Sequence, residues 1–178
     1  MDKIFIVAQA FGILGLIFNV LSFQAKRNKM LFVTQAIGGI SFAINFILIG
    51  DIASCLFNLM NLVRGVIFIR SKKRIWEIML VEAFYVACFA FSVSRIWGSW
   101  FDISLSLLTF ISLVTLSFVM WKGNPRYIRY TQLCMSSPAW IVNNIFHFTL
   151  GGLLCEIFSM CSVVISLIRF RKTGFEEN

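Results

Sequence analysis

Three polar side chains at steps of three, Asn58, Asn61 and Arg64, interrupt the otherwise apolar stretch from Ser54 to Arg70. On a helix that spacing gathers them on one broad face, with Leu, Met, Val and Ile on the others. Two carboxamides and a guanidinium offer hydrogen bonds to a polar solute, and no nucleophile or base for bond breaking. An arginine in hydrocarbon costs about 2.5–3.5 kcal/mol on insertion scales, so Arg64 requires water, a partner or a cavity. Snorkelling is the competing account, because Arg64 lies only about 9 Å of helix rise before Arg70. With both asparagines on the same face, a polar interior is the better reading.

A second group stands nearer the C-terminus. Pro138 removes a backbone hydrogen bond inside an apolar run, and Trp140, Asn143, Asn144 and His147 follow it. Freed backbone at membrane depth is tolerated where protein or water surrounds it. Pro138 is therefore a candidate hinge, paired with Gly38 and Gly39 at the matching place in an earlier run. Asn45, Asn58, Asn61, Asn144 and His147 would hydrogen-bond a solute, Trp140 would wall it, and Arg64 and Glu156 would supply charge or gate. A single asparagine bonding across helices contributes only about 0.6 kcal/mol and needs no ligand. Several such groups in two related places argue for a polar cleft. Glu82 lies at a depth comparable with Arg64 and is expected to form a structural ion pair with it, which leaves Glu156 for contact with solute or proton.

Catalytic chemistry has no footing in this pattern. There is no nucleophile, base and orienter set, no phosphate loop and no metal-ligand cluster, so no cofactor is expected and an enzyme is the least favoured class. Cys55, Cys88, Cys134, Cys155 and Cys161 all fall in apolar runs without a C-x-x-C pair, and read as buried thiols acting as small hydrophobes. Ser106, Thr109, Ser112 and Thr115 repeat every third residue, which suits close helix packing.

The elements that must hold these residues follow from composition. With 59% hydrophobic and 13% charged residues, 20 of them Phe, a chain of 178 residues cannot hide its apolar surface from water, so its solvent is a lipid bilayer. The net charge of +8 would suggest a nucleic-acid partner in a soluble protein. Here the bases sit in short connections between apolar runs, where topology explains them and nucleic acid is rejected. Apolar runs long enough to cross occupy roughly 4–23, 30–49, 52–69, 75–93, 101–121, 128–148 and 152–168. The first is too long for a signal-peptide core and is expected to stay as a membrane helix.

Alternate connections sort the bases by side. Lys26, Arg27, Lys29, Arg70, Lys72, Lys73 and Arg74 fall on one side, together with Lys122, Arg126, Arg129, Arg169, Arg171 and Lys172. Only Lys3 and Arg95 fall on the other. The basic side is cytoplasmic, which places the N-terminus outside and the C-terminus inside. Trp76, Trp97, Trp100 and Trp121 lie near span ends, as interfacial anchors do.

An internal repeat relates the first three spans to the last three. Thr34-Gln35 matches Thr131-Gln132, Gly39 matches Pro138, Asn45 matches Asn144 and Cys55 matches Cys155. The expected fold is all-α: a first three-helix repeat (1–70), a linker helix (71–100), a second repeat of the same orientation (101–172) and a cytoplasmic tail (173–178). This plan resembles the architecture of the SWEET, SemiSWEET, PQ-loop and PnuC-type group, although neither half has that group's Pro-Gln pair.

A closer resemblance covers nearly the full length. Asn61-Leu-Val-Arg64 with Arg70 and Trp76, then Trp140, Asn144, Gly151-Gly152, Glu156 and Ile168-Arg169-Phe170, are similar to the YgjV-like bacterial inner-membrane proteins. The resemblance implies a small multispan protein of the bacterial inner membrane and brings no established substrate. The sequence therefore leads to a transporter or facilitator of a small polar solute, with its site at the midplane between the repeats. The alternative is a receptor, sensor or assembly factor that moves nothing, and a homo-oligomer is among the assemblies the chain permits.

Overall fold

Long apolar runs without backbone partners in lipid must satisfy their own N–H and C=O groups, and the helix does so within one segment. The computed structural model describes residues 3–49, 52–69, 74–146, 150–171 and 174–175. His147 and Arg70 lie outside the described residues. The helices are α1 (Lys3–Ser22), α2 (Asn28–Ile49), α3 (Ile52–Ile69), α4 (Ile75–Arg95), α5 (Trp100–Lys122), α6 (125–146) and α7 (Leu150–Arg169). Among the described residues, five of them, α1, α2, α4, α5 and α7, are long and apolar enough by length and composition to cross a membrane. The other two are α3, with its polar face, and α6, which changes geometry part-way.

The turns have local causes. Gly123 ends α5 in the left-handed region at φ 77°, which lacks the usual penalty only in glycine. Asn124 then caps α6 by accepting from the N–H groups of Arg126 and Tyr127, with Pro125 at the first helical position, where no N–H is needed. Within α6, Pro138 cannot donate to the carbonyl four residues back. The helix widens just before it: Gln132–Ser136 is π-helical, and the Ser137 N–H reaches the Gln132 carbonyl. The irregularity in α6 is thus a π stretch on the N-terminal side of Pro138. By contrast α2 runs unbroken through Gly38 and Gly39. A Cβ on Gly39 would stand 3.0 Å from the Asn58 carbonyl oxygen, and one on Gly38 would stand 3.3 Å from that of Gly15. These glycines let α1 and α3 approach α2.

Packing closes a ring. α1 lies against α2 and α7, α2 against α3, α5 against α3 and α6, and α6 against α7, while α4 packs on α3 and α5. The seam between α1 and α7 is polar. Asn19 Nδ2 donates to Ser159 Oγ at 3.2 Å, Gln24 Nε2 to the Ser162 carbonyl at 2.7 Å, and Ser162 Oγ to the Val20 carbonyl at 2.6 Å. Polarity is inverted relative to a water-soluble domain. Ile4, Ile13, Met79, Ile165 and Ile168 face outward, whereas Asn58, Arg64, Gln132, Ser136 and Asn144 are buried. Trp97 and Trp100 at the α4–α5 turn are 80% and 81% exposed, as an interfacial belt requires. Trp121 departs from that expectation: its indole N–H is enclosed without a hydrogen-bond partner and its ring tilts against Phe118.

At the end where α1, α5 and α7 finish, Arg129 corrects its reading as a loop charge. It is fully buried. Its Nε donates to Ser166 Oγ at 2.9 Å, Nη1 to the Pro125 carbonyl at 3.0 Å, and Nη2 to the carbonyls of Phe23 and Ala25 at 3.1 and 2.6 Å. The Phe175 ring covers the guanidinium at 4.0 Å. One side chain thereby ties α6 and α7 to the α1–α2 turn. Nearby, Asn28 Nδ2 donates to the Gly123 carbonyl at 2.6 Å, joining that turn to the α5–α6 turn.

Candidate functional site

Inside the ring lies a cavity of about 100 Å³, room for several waters or a solute of a few heavy atoms. Its wall comes from α1, α2, α3, α5, α6 and α7, and α4 contributes nothing to it. Counting helix rise from the ends of α3 and α7, Asn61 lies about 12 Å and Glu156 about 20 Å in, which places both within a hydrocarbon layer about 30 Å thick.

On α3 the spacing read from the sequence delivers Asn58, Asn61 and Arg64 to the wall. Tyr85 of α4 stands behind them and donates its hydroxyl to Asn61 Oδ1 at 3.0 Å. That bond fixes the carboxamide and leaves Nδ2 as its donor for a guest. Arg64 is 5% exposed and donates through Nη1 to Ser117 Oγ on α5 at 3.2 Å; the serine hydroxyl in turn donates to the Leu113 carbonyl. The expected Arg64–Glu82 ion pair is not formed. Both Glu82 oxygens are enclosed without a hydrogen-bond partner, and Arg64 acts on that carboxyl only through its charge.

From the other half, α6 brings Gln132, Ser136, Trp140 and Asn144 to the wall, and α7 brings Gly152, Cys155 and Glu156. Two of the α6 residues belong to the π stretch, so the widened turn itself faces the cavity. Asn144 sits directly on Gly152, where a Cβ would fall 2.5 Å from its Oδ1, and this glycine makes the space for the amide. Gln132 Nε2 donates to Ser137 Oγ at 3.0 Å, and Ser137 is the hydrogen-bonding neighbour of Glu156. Glu156 Oε2 is enclosed without a partner.

The structure brings together Asn58, Asn61, Arg64, Trp140, Asn144 and Glu156, along with Gly38 and Gly39. Asn45 stands apart from the wall. Its Nδ2 donates to the Ala8 carbonyl at 2.6 Å and packs over Gly12, so it is a bond between α1 and α2. Pro138 is likewise not a wall residue. Sequence reasoning passed over Asn19, Gln35, Gln132 and Ser136, all of which line the cavity. Gln35 and Gln132 were detectable, since each follows a threonine in a Thr-Gln pair that occurs once early and once late in the chain.

A family model described as Imp-YgjV, bacterial inner membrane protein, matches residues 6–174. The chain belongs to the Imp-YgjV family. Its apolar helices and this membership make it a multi-pass protein of the bacterial inner membrane. The Imp-YgjV match extends over all seven helices and every wall residue named above. No curated protein and no solved structure matches the chain.

Proposed function

We propose that this Imp-YgjV family member is an inner-membrane carrier or facilitator of a small polar solute, which it holds in the cavity inside the helix ring. The observation that carries this reading is the composition of the wall: amides and charged groups from α1–α3 and from α5–α7 converge on one space at membrane depth, where unmatched polar groups are costly. In this reading α1–α3 and α5–α7 are two units of the same orientation joined by α4, and rocking of one unit against the other opens the site to each side in turn. The polar α1–α7 seam supports it, because a few side-chain hydrogen bonds are exchanged for water at less cost than a dry apolar contact would be. The π stretch supplies α6 with a place to bend between the Arg129 cluster and Asn144.

The Lys/Arg bias places the N-terminus in the periplasm and the C-terminus in the cytoplasm. A Lys172→Cys variant is expected to react with an impermeant thiol reagent in inside-out vesicles and to be silent in right-side-out ones; the opposite pattern reverses this topology. Function is tested by uptake into liposomes containing the purified protein. Accumulation of one class of polar metabolite above protein-free liposomes is expected. Absence of uptake for every class, with a stoichiometric protein partner in its place, would return the chain to the receptor or assembly-factor reading.

A further inference from the structure

The membrane interior of this protein carries an uneven set of charges. Among the described residues, Arg64, Glu82 and Glu156 are the ionisable acid and base side chains deep within the helices around the cavity, one base against two acids. Arg64 shares the cavity wall with Glu156 but is tethered on the α5 side: it bonds to Ser117, and its charge acts on Glu82 and Tyr85 of α4. Glu82 lies off the cavity wall and has that base within reach of its charge, though no hydrogen bond to it. Glu156 has no ion pair among the described residues and one oxygen enclosed without a hydrogen bond. Arg129 offers it nothing, because it is spoken for by Ser166 and three carbonyls, and Ser166 lies about 15 Å further along α7. A carboxylate so placed is charged only when a cation comes to it.

The rest of the wall suits such a guest. Trp140 and Phe42 present aromatic surface, which favours a cation over an anion. Asn61 and Gln35 supply amides for the guest's other polar end, and about 100 Å³ suits a guest of a few heavy atoms. We infer that the solute is a small organic cation with N–H donors, of the primary-amine or guanidinium kind, whose charged end binds Glu156. This inference rests on the carrier reading for its biological sense, but binding can be measured without transport.

The test uses three solutes of one size and different charge: ethanolamine, ethylene glycol and glycolate. Radiolabelled ethanolamine is expected to bind the full-length detergent-solubilised protein, and neither the neutral nor the anionic analogue should displace it. Glu156→Gln should weaken binding at least about tenfold, the scale of a lost charge-assisted hydrogen bond, while Glu156→Asp retains part of it. Size-exclusion profiles of both variants establish that they remain folded. Equal binding by Glu156→Gln, displacement by ethylene glycol, or no binding of either ethanolamine or guanidinium at millimolar concentration overturns the inference. Ethanolamine binding without uptake would leave the inference standing and sink the carrier reading. Uptake of ethylene glycol but not ethanolamine by the wild type, unchanged in the Glu156→Gln variant, would do the reverse.

Discussion

Replacing Arg129 by alanine is expected to cost about 3 kcal/mol or more, the largest stability loss of any single substitution considered. The change leaves Ser166 Oγ and the carbonyls of Pro125, Phe23 and Ala25 without the donor that now serves them. A buried acceptor left unsatisfied costs about 1–3 kcal/mol, and neighbouring losses are not additive. For a chain of this size that corresponds to a fall of roughly 6–12 °C in Tm. Arg129→Lys keeps the charge but replaces a planar fork by a single ammonium, so an intermediate Tm is expected. The check is thermal unfolding in detergent, and an Arg129→Ala protein that melts with the wild type would show that the turn is held by other contacts.

The second large effect concerns uptake. Asn61→Ala and Asn144→Ala are each expected to reduce transport by at least about tenfold, and the double variant to reach the level of empty liposomes, because each removes a hydrogen-bonding group from a wall that has displaced water to receive the solute. Asn45→Ala is the matching control. It deletes an asparagine about as buried as Asn144 whose bond is to the Ala8 carbonyl, away from the wall, so folding is slightly weakened and uptake persists. Retained transport in the Asn61→Ala and Asn144→Ala double variant removes the site assignment.

The helices were legible in the sequence because lipid imposes length and apolarity on each one independently, and the edges found by charge and turn residues fall within a few positions of α1 to α7. The α3 face was legible for a related reason, since steps of three place Asn58, Asn61 and Arg64 together whatever the neighbours do. What escaped depended on how helices meet. Asn45 and Asn144 match in the sequence, yet one packs over Gly12 away from the wall and the other over Gly152 against the cavity, a difference set by the neighbouring helix. Arg129 looked like every other base in a turn. The fold of the α1–α2 segment over it supplies two of the three carbonyls that bury it. Likewise Arg64 and Glu82 share a depth, but depth does not fix azimuth, and the guanidinium turned to Ser117.

Wetness of the space between α1–α3 and α5–α7 is what the carrier reading requires. It is tested most directly by thiol accessibility in membranes. In a variant with the native cysteines replaced, Gln35→Cys and Ser136→Cys at the cavity wall are expected to react with a small charged methanethiosulfonate, and to be protected when the transported solute is present. Ile13→Cys on the outward face of α1, 61% exposed here but turned to lipid in the membrane, should stay unreactive. Wall positions as inert as Ile13→Cys would mean a dry interior and would contradict the account.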